Sequence, residues 1–177
     1  MCMSPNPFPQ ASRIVTSHNE DGRSVVLFSE PVPTRQPTGR PSYSARLWVD
    51  AAAAQGAQSE LCVENSPQDS KDVVPSRLGL VQNGGSVLMT LEMPPGAAGP
   101  MHRTSSLDYA ILISGSLTLL LDDEKTETLS VPGSVVVQRG TRHKWENRSE
   151  DWVKVVLVLI DAAPACKPDG EELEEYI

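Results

Sequence analysis

Two of the three histidines, His102 and His143, fall in one stretch from Gly96 to Asn147. Each follows a turn rich in glycine or proline and lies beside a β-prone run. Imidazole is a poor filler for a core, because each ring nitrogen needs a partner once buried. It is a good acid, base or metal ligand near neutral pH. Side chains alternate along a strand, so His102 and Thr104 face one way, and Asp108, Ala110 and Leu112 form another same-facing set. These residue types suit proton transfer or metal binding and leave the reaction open. His18 sits next to the Asp21-Gly22 turn and is expected to be a solvated loop histidine. Cys2, Cys62 and Cys166 are odd in number and widely spaced, with no metal or redox motif, so a reduced, cytoplasmic setting is the simplest expectation.

The elements that must position these groups read as strands. Among 177 residues, 39% are hydrophobic and fifteen are proline, which fits one globular domain with many turns and an irregular tail. The net charge of −8 argues against a nucleic-acid or anionic-membrane partner. The longest apolar run, Val155 to Ile160, is too short to span a bilayer, and the first residues carry no apolar signal region.

Residues 1–10 are expected to be a disordered tail. Arg13 to Thr16 and Ser24 to Phe28, around Asn19-Glu-Asp-Gly22, predict a hairpin. The prolines of 29–42 mark a connector, Tyr43 to Val49 a strand, Ala51 to Ala54 the start of a short helix, and 64–76 a loop. From Leu78 short β-rich runs follow: 78–81, 86–93, 107–113, 117–121, 126–131, 134–138 and 152–160. Strands this short and evenly spaced indicate an antiparallel sandwich or barrel. The expected organisation is a tail (1–10), a hairpin arm with loops (11–77), a barrel (78–162) and an acidic tail (163–177). Glu171 to Glu175 is expected to be a solvated face or a short docking helix.

Gly96, His102, Asp108 and Gly115, followed by Gly133, Gly140, His143 and Asn147, resemble in order and spacing the two signature blocks of the cupin superfamily. The likeness covers residues 78 to 161. The run from His102 to Tyr109, with Val135 to His143, looks similar to small single-domain cupins found beside fungal polyketide and other secondary-metabolite genes. The fold implied is an all-β, cupin-type antiparallel barrel or jelly roll preceded by a β-hairpin arm. In metal cupins of this kind, three histidines and a glutamate hold the ion. Here Thr104 replaces the second histidine and Asp108 the glutamate, while Gln138-Arg139 stands at the second block's proline position.

The resemblance therefore implies a site of His102, Asp108 and His143 inside the barrel, with Thr104, Ala110, Leu112 and Trp145 lining it. One reading makes the first three a two-imidazole, one-carboxylate set for a divalent metal (Fe, Mn, Zn or Ni). The other needs no cofactor: a carboxylate beside two imidazoles in an apolar cavity lets one imidazole act as base and the other as acid. The expected activity is a tailoring step of the lyase or isomerase type (dehydration, tautomerisation, cyclisation or decarboxylation) on a small apolar or aromatic metabolite. An Fe(II)-type dioxygenase and a non-catalytic small-molecule binder are the alternatives. Leu88, Ala110, Leu112, Val135, Val137, Val155 and Leu157 are candidates for the cavity wall. Arms of this type imply a homodimer.

Overall fold

The computed structural model describes residues 5–50 and 80–176. The helix expected at 51–54, the loop at 64–76, Cys2 and Cys62 lie outside those residues. Among the described residues no helix is long and apolar enough to cross a membrane.

The expected hairpin forms: β1 (Ala11–His18) pairs antiparallel with β2 (Ser24–Val32). Asn19 closes its turn by accepting from the backbone N–H of Asp21 at 3.1 Å and Arg23 at 2.9 Å. His18 is exposed there. The hairpin runs on to Val32, so the first residues of the expected connector are strand. Pro31 is tolerated because a strand of a two-stranded ribbon has an edge that needs no N–H.

Among the described residues, eight further strands build the body. A five-stranded antiparallel sheet has the order β3 (Tyr43–Asp50), β4 (Ser86–Met93), β10 (Val153–Asp161), β5 (Ser106–Ser114), β8 (Val135–Arg139). A three-stranded sheet has the order β7 (Thr126–Leu129), β6 (Leu117–Leu120), β9 (Lys144–Glu146). Leu80 and Val81, in the first expected run, form a bend. Gly115, at φ +84°, turns β5 into β6; a Cβ there would meet the Trp152 carbonyl oxygen at 2.5 Å. Only glycine fits both constraints.

The core lies between the sheets. Met93, Ala110, Leu112, Val153 and Val155 from the larger sheet meet Leu117, Leu119, Leu129 and Trp145 from the smaller. Strict alternation on β5 and β10 produces this inner face, with Ala110 opposite Leu157 and Leu112 opposite Val155. Ala110, Leu112, Val155 and Leu157 thus lie where the sequence places them. Leu88, Val135 and Val137 do not. Val135 and Val137 are half exposed on the outer side of β8, and Leu88 pairs with Trp48, out of step with the buried Val87 and Met89. A run of three valines carries no alternation, so nothing in Val135–Val137 itself selects a face.

At both ends of the chain the described residues are ordered against the body, and the acidic tail keeps the expected solvated face. Residues 5–10 are docked: Asn6 Nδ2 donates to Glu92 at 2.6 Å, and Phe8 packs edge-on against Trp152 and beneath the Lys154 ammonium. Glu92 is buried and paired with Lys154 at 2.8 Å, its cross-strand neighbour. The acidic tail is an extended hairpin, with no helix. Cys166 bridges Glu172 across a turn at Gly170, and Tyr176 pairs by backbone with Arg103. Asp169-Gly170 is a turn signal, and it prevails over the weak helical pattern of Glu171–Tyr176.

Candidate functional site

His102 and His143 are brought together by backbone. The segment 97–103 runs antiparallel along 143–147: Gly99 N–H donates to the Trp145 carbonyl, Asn147 N–H to the Ala97 carbonyl, and His102 and His143 exchange both backbone bonds at 2.8 Å. A directly opposed pair shares a face, so the two rings stack obliquely, 4.2 Å apart with planes at 53°. Trp145, two residues on, lies on the same side with its ring 5.6 Å from His143. Asn147 holds the far end of this ladder. It is buried, donates to the carbonyls of Met93, Pro94 and Asp151, and accepts from Ser149. Its role is to fix the loop.

Each imidazole is oriented by its own chain. His102 Nδ1 lies 3.1 Å from the Pro100 carbonyl oxygen and His143 Nδ1 2.9 Å from that of Thr141. A carbonyl only accepts, so each Nδ1 donates its proton to it, and Nε2 of either ring is the nitrogen left for other work. His143 is 3% exposed. Burial pushes its pKa down to about 4, against the upward pull of the Thr141 bond, and the neighbouring His102 lowers it further. His143 is neutral at neutral pH.

Asp108 lies on β5, inside, between Leu159 of β10 and Gln138 of β8. Burial raises its pKa, while a hydrogen bond from Ser106 and the charge on His102 pull the other way. Ser106 is in turn 2.8 Å from the Thr104 hydroxyl. Thr104, Ser106 and Asp108 thus form a buried polar row leading inward from the histidines. Below it lie Ala110, Leu112 and Trp145. All seven candidate site residues face this interior side or border it.

The three-donor metal set does not close. Among the described residues no three His, Cys, Asp or Glu side chains come together closely enough to hold a metal ion. The carboxylate is one methylene shorter than glutamate and is engaged by Ser106, and Thr104, where the family has a histidine, spends its hydroxyl on the same serine. The donors present do not fit a resident metal.

Gln138 escaped the reading of the sequence. It is 3% exposed, directly opposite Asp108, and its Nε2 has no hydrogen-bond partner; Asp108 Oδ1 has none either. A signal was available. Placing Val135 and Val137 inside would also put Arg139 inside, and a buried arginine is far less favourable than a buried glutamine. Arg103 and Arg142, which flank the histidines in sequence, are used structurally. Arg142 binds Asp122 at 3.0 Å and lies over the Tyr176 ring, while the Arg103 backbone holds the C-terminal hairpin.

Comparisons with known proteins agree with this architecture. The Cupin domain family model matches residues 89–160. "Phomopsin biosynthesis cluster protein D" of Diaporthe leptostromiformis is 33% identical over 156 residues, covering 86% of this chain and 79% of that protein. "Cupin-domain-containing oxidoreductase fogC" of Aspergillus ruber is 28% identical over 178 residues, 97% and 84% of the two chains. Among solved structures, the Schizosaccharomyces pombe Cnp3 cupin domain superposes with a TM-score of 0.51 at 12% identity, covering 86% of this chain and 89% of that one. With two glycine-framed histidine blocks folded face to face between antiparallel sheets, and a relative of this identity matched over most of its length, the chain belongs to the cupin family.

Proposed function

We propose that this cupin is an acid–base enzyme of secondary metabolism, of the lyase or isomerase type, acting on a small apolar or aromatic metabolite. The observation that carries the reading is the imidazole pair, ring against ring, with both Nδ1 atoms committed to backbone carbonyls and both Nε2 atoms left for chemistry. Neutral His143 accepts a proton at Nε2 from a carbon next to a carbonyl, and the C–H electron pair moves onto the carbonyl oxygen. His102, in its protonated form, returns a proton from Nε2 to another carbon or to a departing hydroxyl. The first outcome moves a double bond; the second releases water. The apolar wall of Ala110, Leu112 and Trp145 excludes solvent and strengthens the charge shifts involved. Relatives named for the phomopsin and oryzine biosynthesis clusters support the metabolic setting.

A second reading, oxidation by an Fe(II)-type centre, is favoured by relatives named oxidoreductases in Aspergillus ruber and Hypocrea virens. Two measurements separate the possibilities. Protein purified without chelator is expected to hold no stoichiometric Fe, Mn, Zn or Ni; one equivalent would overturn the acid–base reading in favour of the second. His102→Ala with His143→Ala is expected to change the metabolite profile of the producing cell. An unchanged profile would make the protein a binder without turnover.

A further inference from the structure

Asp108 and Gln138 form one cross-strand pair on the inner face, and each ends in a polar atom that nothing in the protein satisfies. Asp108 Oδ1 is a buried acceptor; Gln138 Nε2 is a buried donor. Directly opposed residues on paired strands hold their Cβ atoms roughly 5 Å apart on one face, so one ligand group can engage both side chains. Burying such groups unpaired is costly, so a buried donor beside a buried acceptor, neither used by the protein, points to a ligand that engages both. We propose that Gln138 and Asp108 are the subsite for a substrate hydroxyl, of a phenol or an enol: Gln138 Nε2–H donates to its oxygen and the hydroxyl donates to Asp108 Oδ1.

A donor facing an acceptor selects a group that both accepts and donates. An ether or a nitro oxygen lacks the proton for Asp108, and a carboxylate would be repelled by it. Leu159, opposite Asp108 on β10, and the next same-facing pair, Ala110 and Leu157, are apolar and suit a ring or a conjugated chain around that hydroxyl. The inference rests on the acid–base reading for its consequence, since an enol held by its oxygen presents the adjacent carbon for proton transfer. The binding itself is separable from that chemistry.

The test uses the full chain with 4-nitrophenol and nitrobenzene as probes, at a mildly acidic pH that keeps the phenol un-ionised, titrated by calorimetry against wild type, Gln138→Leu and the His102→Ala/His143→Ala variant. Gln138→Met, closer in shape, serves if the leucine variant does not fold. Wild type is expected to bind the phenol roughly tenfold or more tighter than nitrobenzene. Gln138→Leu is expected to bring the ratio to about one while keeping nitrobenzene affinity, which a merely structural role would not do. Absence of discrimination by wild type, binding of neither probe, or a ratio unchanged in the Gln138 variant would overturn the proposal. Discrimination kept in the histidine variant, with an unchanged metabolite profile, would overturn the acid–base reading alone.

Discussion

His143 and Asp108 are buried titratable groups whose pKa values move away from their ordinary ranges, and their effects on stability have opposite signs. For His143 the folded pKa, about 4, lies below the ordinary 6.5. The unfolded chain therefore takes up the proton first, and the stability of the neutral, buried ring is fully present above 6.5 and lost as pH falls toward 4. The loss is about 3 kcal/mol, since each unit corresponds to about 1.4 kcal/mol. His143→Gln is expected to flatten most of that slope in urea unfolding curves taken between pH 7 and 4. For Asp108 the folded pKa is raised by burial, so its charged form is the costly one. Its contribution is present below the unfolded carboxyl range and lost as pH rises through the folded value. Asp108→Asn is accordingly expected to raise Tm by roughly a few degrees at pH 7 and by nothing at pH 3. Equal effects at both pH values would refute the buried-carboxylate account.

At the scale of elements, the decisive feature is the register of β8. The strands of the body were legible because β4, β5 and β10 are short runs rich in apolar residues, and the meeting of His102 with His143 was implied by the resemblance of their two blocks to the cupin signature. The face of β8 was not, because Val135-Val-Val137 reads alike in either register. That one-residue ambiguity hid Gln138, and the cue to the register lay past the valines, at Arg139. The C-terminal hairpin was hidden for another reason: its fold depends on the Arg103–Tyr176 pairing, a contact of long sequence separation that no local pattern announces. The β8 register makes a sharp prediction. Val136→Thr, on the inner side, is expected to cost about 1–2 kcal/mol through burial of a hydroxyl, and Val137→Thr less than about 0.5 kcal/mol. Chemical denaturation of the two variants measures the difference, and a reversed order would refute the register.

For the whole molecule, the question is what supports the arm. An isolated two-stranded hairpin is marginal in water. Here β1 and β2 form a sheet of their own, tied to the body by the bond from Arg13 to the Leu47 carbonyl and by the Arg35–Ser44 bridge. Ile14 and Val26 stand 66% and 61% exposed on it, with Val25 and Leu27 beside them. The outer face of the larger sheet shows a matching apolar area at Ile113, Val135 and Val137. Exposed apolar surfaces of this kind are commonly covered by a partner, and the prediction is a homodimer in which each arm lies across the partner's sheet. Light scattering on the purified chain is expected to give twice the monomer mass. Ile14→Asp with Val26→Asp is expected to shift it to monomer, because a carboxylate on each buried contact costs several kcal/mol of association. A monomeric wild type would refute the dimer, and a double variant that stays dimeric would move the interface away from the arm.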